Sequence, residues 1–260
     1  MPQALASPGP ARWGRLLAAT VIACLLALAH ASARAGDKPP APVAVPDTLA
    51  QRLQPCLACH GAQGRASAQG YVPRIAGKPA GYLLHQLLNF RDGRRRHATM
   101  SHFLANQGDA YLAEMAAHFA GMDAPYPSPP APPDNAATAL ARGALLAQQG
   151  DAGRQLPACQ SCHGAALTGR QPAVPGLLGL PRDYLIAQLG AWQTGSRQAL
   201  APDCMATIAR SLAPQDISAV ALWLASQPVP THPQAVAAND GLATLPWPAG
   251  LPCGSQPRSP

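Results

Sequence analysis

A five-residue pattern, Cys-x-x-Cys-His, occurs twice and constrains the fold of this chain more than any other feature. The two copies are residues 56–60 (CLACH) and 159–163 (CQSCH). The pattern is the attachment signature of a c-type haem, because two thiols three residues apart can add to the two vinyl groups of one porphyrin. The adjacent histidine then lies under the iron, where an imidazole nitrogen can bind it. We therefore predict two covalently bound haem c groups.

In this prediction four thiols attach the haems and two histidines bind the iron. The attachment cysteines are Cys56, Cys59, Cys159 and Cys162, and the axial histidines are His60 and His163. Cys-x-x-Cys alone also occurs in zinc sites and in thioredoxin-like redox proteins. A thiol redox or zinc protein without haem is therefore an alternative, although it would not need the histidine of either copy.

The composition favours small helical domains and argues against a nucleic-acid partner. Hydrophobic residues make up 48% of the 260 residues, but aromatic residues only 5%, and there are 30 prolines. Because so few aromatic side chains fill a core poorly, two apolar macrocycles would fill part of the space. The formal net charge is +7, but the sequence has no nucleic-acid-binding motif and no basic stripe interleaved with aromatic residues.

The first 35 residues have the pattern of a secretory signal peptide. Arg12 and Arg15 precede an apolar run over residues 16–29, and an Ala-x-Ala sequence ends at Ala35. The run is short for a membrane span, so we expect cleavage, with an uncleaved anchor as the alternative. The expected location is the periplasm, an oxidising compartment, and a peripheral association with the membrane stays open.

Two similar segments follow the leader, separated by a proline-rich stretch. Residues 73–77 (PRIAG) correspond to 175–179 (PGLLG), and residues 82–87 (YLLHQL) correspond to 184–189 (YLIAQL). Such internal similarity predicts two tandem copies of one fold. The predicted divisions are a signal peptide at 1–35, a first haem domain at 36–121, a linker at 122–135, a second haem domain at 136–227 and a proline-rich tail at 228–260.

The predicted fold class is all-α, with the same helices in both copies. Apolar residues at helical spacing predict helices over 80–90 and about 108–121 in the first copy, and over 136–149 and 216–225 in the second. A short helical stretch at 47–54 leads into the first motif. Met100 and Met205 are placed in loops, and the tail receives no regular element.

These two loop methionines are the candidates for the sixth iron ligand. Met100 follows His60 by 40 residues, and Met205 follows His163 by 42. A thioether favours ferrous iron and suits an electron carrier. His97 and His102 flank Met100 and compete with it. The second copy has no histidine in the matching loop, so equivalence of the copies favours methionine in both.

With these features the sequence resembles the class I cytochromes c, and its two copies resemble the cytochrome c4 family of dihaem electron carriers. The resemblance covers about residues 47–227. It implies two tandem class I domains that each wrap one haem, with the propionate edges facing each other at the domain interface. It also implies that the carbonyls of Pro73 and Pro175 fix the axial histidines, and that Arg95 and Arg197 lie near the propionates.

The expected function is electron transfer without substrate chemistry, since two six-coordinate irons leave no open position. Expected partners are redox proteins such as a quinol-oxidising complex, a dehydrogenase or a terminal oxidase. One alternative is a dihaem subunit of a periplasmic dehydrogenase complex, which the long tail leaves open. Another is an enzyme such as a dihaem peroxidase, which would need one five-coordinate iron.

A cluster of arginines follows the helix predicted at 80–90. Its members are Arg91, Arg94, Arg95 and Arg96. One interpretation is a solvated loop in which one arginine serves a propionate. The other is a docking patch for an acidic partner, where charge mainly accelerates encounter.

Two cysteines remain once the leader and the haem thiols are set aside. Cys204 lies directly before Met205, and Cys253 lies in the tail. In an oxidising compartment we expect a disulfide between them. The alternative is a buried thiol at Cys204 and an exposed one at Cys253.

Overall fold

The structure is a computed structural model, and it describes residues 20–25, 46–66, 71–238 and 248–256. The chain divides into two units, Met1–Pro46 and Asp47–Pro260. In the first unit, residues 20–25 are helical and exposed; the rest of the predicted signal peptide lies outside the described residues. Within the described ranges, no helix combines the length and the apolar character needed to cross a membrane.

The first copy of the repeat is built from short helices around an apolar cluster. The helices are α1 (Leu49–Arg52), α2 (Gln54–His60), α3 (Ala80–Arg91), α4 (Ala98–Leu104) and α5 (Asp109–Ala120), with a 3-10 turn at Ala62–Gly64. Thr48 begins α1, where its hydroxyl accepts a hydrogen bond from the Gln51 amide at 3.2 Å. The cluster between the helices includes Leu53, Leu83, Phe90, Leu112, Met115 and Phe119.

The second copy repeats this order with two short strands added. Its elements are α6 (Ala137–Gln148), a 3-10 turn at Ala152–Arg154, α7 (Cys159–His163), β1 (Gly169–Arg170), β2 (Val174–Pro175), α8 (Arg182–Gln193), α9 (Cys204–Ser211) and α10 (Pro214–Ser226). The strands pair antiparallel, with Gly169 opposite Pro175. Helices α6, α8 and α10 meet at a buried cluster that includes Leu146, Leu185, Val220 and Leu224.

The predicted fold class is confirmed, because the described chain is mostly helical with little strand. The prediction that Met100 and Met205 lie in loops is wrong. Met100 lies in α4 and Met205 is the second residue of α9. Both helices begin at a capping side chain: His97 Nδ1 accepts from the Met100 amide at 3.4 Å, and the Asp203 carboxylate accepts from the Ala206 amide at 3.0 Å.

The tail contains no helix or strand among its described residues, but it is tied to the second copy at two places. The Val236 amide donates to the Gly169 carbonyl at 3.1 Å, and the Gln171 amide donates to the Val236 carbonyl at 2.8 Å. Further along, Cys204 and Cys253 form a disulfide. The predicted bridge is thereby confirmed, and it ties the tail at Cys253 to the first residue of α9.

Candidate haem sites and the interface between them

The two predicted axial histidines occupy equivalent, buried positions at the ends of α2 and α7. His60 Nδ1 lies 2.8 Å from the Pro73 carbonyl oxygen, and His163 Nδ1 lies 2.7 Å from that of Pro175. A carbonyl oxygen can only accept a hydrogen bond, so Nδ1 carries the proton and Nε2 keeps its lone pair. Burial lowers the pKa of both histidines. Each imidazole is therefore neutral and oriented, the form that binds a metal.

The motif cysteines lie one helical turn apart, on the same helices as the histidines. All four sulfurs are unbridged. Burial raises the pKa of the Cys159 thiol to about 12 and that of Cys162 to about 11, and it also raises the pKa of Cys56. A thioredoxin-like site needs a lowered cysteine pKa. The environment of Cys56, Cys159 and Cys162 is therefore the opposite of what the thiol-redox alternative requires.

In the second copy, the predicted site residues share one cavity of about 1470 Å³, counting the space open to solvent at its mouth. Its walls include Cys159, Cys162, His163, Pro175 and Met205. In the first copy, Cys56 and Met100 pack against the same apolar cluster. The fold thus brings both attachment cysteines and Met205 of the second copy to one cavity, and it brings Cys56 and Met100 of the first copy to one core, while Cys59 is exposed.

Polar groups without partners show that the cavity residues fit a haem. Trp192 Nε1 and His85 Nδ1 are buried without a hydrogen-bond partner among the described residues, and both side chains line the cavity. Arg197 also lines it and is 5% exposed, yet its described hydrogen bonds reach no carboxylate. A large apolar ring that carries carboxylates would fit the apolar walls, could accept a hydrogen bond from Trp192 Nε1 and would offset the charge of Arg197.

The two copies meet at a ring of hydrogen bonds in which Arg95 and Arg197 both donate to Gln86 and Gln188. Gln86 Oε1 accepts from Arg95 Nη1 and from Arg197 Nη2, each at 3.0 Å. Gln188 Oε1 accepts from Arg95 Nη2 and from Arg197 Nη1, each at 2.7 Å. The backbone supports this contact, since the Arg96 amide donates to the Ser196 carbonyl at 2.9 Å. The ring places two buried cations at the junction of the copies.

The four clustered arginines do not form one exposed surface. Arg95 is buried at the junction. Arg91 pairs with the carboxylates of Asp92 and Asp109, and Arg94 pairs with Asp92. These carboxylates offset the charges of Arg91 and Arg94, while Arg96 is exposed to solvent.

Sequence reasoning missed several residues that line the second site. They are Lys78, Gln188, Trp192, Leu251, Ser255 and Gln256. The repeat itself could have signalled Gln188, because Gln86 occupies the matching position in the first copy. The tail residues carry no such signal, since the disulfide brings them to the cavity from far along the chain.

We expect the disulfide to stabilise the second site specifically. Leu251 and Gln256 flank Cys253 in the cavity wall, beside Met205. The bridged residues are 49 apart in sequence, and closing a loop of that size contributes about 4 kcal/mol. The Cys253→Ser variant should lower the denaturant midpoint of the second haem's methionine–iron signal and leave that of the first unchanged.

Mild reduction of the wild-type protein is the matched control for this prediction. Reduced wild type and the Cys204→Ser/Cys253→Ser variant should unfold at the same denaturant concentration. An unchanged midpoint after reduction would contradict a stabilising bridge.

Comparison with known proteins places the chain among dihaem cytochromes. No family model matches it. The thiosulfate dehydrogenase electron acceptor of Thiomonas intermedia (strain K12) is 37% identical over 67% of this chain and 79% of the relative. Cytochrome c4 of Pseudomonas aeruginosa is 33% identical over 65% of this chain and 82% of the relative.

A solved structure supports the same assignment. The crystal structure of reduced recombinant cytochrome c4 from Pseudomonas stutzeri matches with a TM-score of 0.59 and 25% identity. The match covers 68% of this chain and 95% of that one. The likeness therefore extends over nearly the whole length of the solved protein.

Proposed function

Since the chain belongs to the cytochrome c4 family of dihaem class I cytochromes c, we propose that it carries electrons in the periplasm between a respiratory donor and a terminal acceptor. Membership of the family means two covalently bound haem c groups and a role in electron transfer. The observation that carries the proposal is the pair of buried, neutral histidines, each held by a proline carbonyl. Each haem, when bound, supplies one-electron exchange between ferric and ferrous iron.

In this proposal each residue of the site has one task. Cys56 with Cys59, and Cys159 with Cys162, attach the haems through thioether bonds. His60 and His163 bind the iron, and the carbonyls of Pro73 and Pro175 hold the imidazole protons at Nδ1. Met100 and Met205 would each supply a second protein ligand to the iron, and Arg95 and Arg197 would offset the propionate charges.

The protein, as proposed, has no substrate chemistry of its own. Met205 lies on the cavity that also contains His163, which supports a six-coordinate second iron. An iron held by both the Met205 thioether and the His163 imidazole would have no position left for peroxide to bind. The burial of both histidines favours fixed ligation over ligand exchange.

A more specific partner is suggested by the relatives. The Thiomonas relative is named as an electron acceptor of thiosulfate dehydrogenase, and it is 37% identical to this chain. We therefore propose a periplasmic dehydrogenase of this class as the electron donor, either as a separate protein or within one complex. A quinol-oxidising complex is the other candidate donor.

Reduction kinetics would test this donor. The oxidised protein is mixed with thiosulfate and catalytic amounts of a thiosulfate dehydrogenase, and the reduced α-band is followed. We expect rapid reduction of both haems, and none with thiosulfate alone. If the band grows no faster with the dehydrogenase than without it, while a quinol-oxidising complex reduces the protein rapidly, the proposed donor is wrong.

A further inference from the structure

A lysine of the first domain is buried against the second haem site. Lys78 is 5% exposed, and its Nζ donates to the Gly176 carbonyl at 3.1 Å. Gly176 directly follows Pro175, whose carbonyl accepts the proton of His163. Among the described residues, no carboxylate lies within ion-pair distance of Lys78. The ammonium is thus an unpaired cation next to the backbone that orients the second axial histidine.

The repeat shows that this cation breaks the equivalence of the two sites. Lys78 corresponds to Leu180 in the second copy, and Arg74 corresponds to Gly176. Arg74 is buried as well, with its guanidinium over the Tyr126 ring at 3.7 Å. The first copy therefore contributes two buried cations to the segment that follows its proline, and the second copy contributes none at the matching positions.

A buried cation acts on the iron through its field. Reduction lowers the charge of the iron by one, so a nearby positive charge stabilises the ferrous form, and the low dielectric of the interior strengthens the effect. Burial lowers the pKa of Lys78 to about 8, which leaves the ammonium protonated in mildly acidic solution. Lys78 and His163 line the same cavity, so the ammonium lies close enough to act on an iron held there.

We propose that the buried ammonium group of Lys78, a residue of the first copy, raises the reduction potential of the second haem. The inference rests on the proposed function, because it requires His163 to bind that haem's iron. It makes the second haem the preferred site for an electron that has entered the protein.

A potentiometric titration at pH 6 would test Lys78. The variants are Lys78→Leu, which introduces the residue of the second copy, Lys78→Met, which keeps the length of the side chain, and Lys78→Arg, which keeps the charge. At a fixed potential, the ratio of reduced to oxidised second haem should fall about tenfold in the Leu and Met variants, a shift of about 59 mV for one electron. The corresponding ratio of the first haem should be unchanged, and Lys78→Arg should keep most of the wild-type ratio of the second haem.

The two haems are told apart by the ring-current-shifted methyl signals of their methionines. Arg96→Leu is the matched control, since it removes an exposed positive charge and should move neither potential. The inference would be overturned if the reduction potential of the second haem were unchanged in both uncharged variants, or if the potentials of both haems fell equally. A wild-type protein without two low-spin haems would instead reject the proposed function itself.

Discussion

Replacing Met205 by alanine should abolish the methionine–iron absorption of the second haem and lower its potential by roughly 0.2 V, within the range over which axial ligands set haem potentials. The physical reason is the loss of the thioether, which favours ferrous iron. Met100→Ala should do the same to the first haem. Each variant should leave the other haem nearly unchanged, because each methionine lies on its own copy of the fold. Absorption and proton NMR of the reduced protein measure both effects.

Met115 is the matched control for these variants. It is a methionine of α5, 6% exposed and part of the first apolar cluster. Met115→Ala should cost about 2–5 kcal/mol of stability, but it should leave both methionine–iron signals in place. If Met100→Ala keeps its signal, or if Met115→Ala loses one, the ligand assignment of the first haem is wrong.

Replacing Arg197 by methionine should weaken the junction between the domains. The change removes the donors that Arg197 offers to Gln86 Oε1 and Gln188 Oε1. Hydrogen bonds from a charged donor contribute about 1.5–3 kcal/mol each, so we expect a loss of about 3 kcal/mol in the free energy of unfolding. Removing a buried cation should also lower the haem potentials. Arg95→Met should lower stability and the haem potentials by similar amounts, because Arg95 also donates one hydrogen bond to Gln86 Oε1 and one to Gln188 Oε1.

The control for the junction is Arg96→Met. Arg96 is exposed, and exposed charges contribute little to stability, so this variant should unfold within about 0.5 kcal/mol of wild type. Denaturant titration followed at the Soret band gives the comparison. Equal losses in Arg96→Met and Arg197→Met would show that the ring of hydrogen bonds does not stabilise the junction.

Much of the fold could be predicted because the chain repeats itself. The matching phrases around Pro73 and Pro175 predicted two copies, and apolar spacing predicted α3 and α5 to within a few residues. The disulfide was predictable from counting, since only Cys204 and Cys253 remained. Each of these predictions rested on a pattern of neighbouring residues, on a pattern present in both copies, or on a count of cysteines.

The rest depends on contacts that no local pattern encodes. The arginine cluster reads as one basic patch in sequence, but Arg95 turns into the junction while Arg91 pairs with Asp109 from α5. Lys78 lies beside Gly176 only because the two copies are packed together. The helix around Met205 was missed because its cap, Asp203, lies in a stretch with proline on the N-terminal side.

The number and spin state of the haems test the central claim most directly. An absorption spectrum of the purified protein, with its haem content measured per chain, should show two haems. Both should be low-spin in the oxidised form, with a methionine–iron band at the red end of the spectrum. A single haem, a high-spin iron or the absence of a Soret band would contradict a dihaem carrier with histidine and methionine ligands.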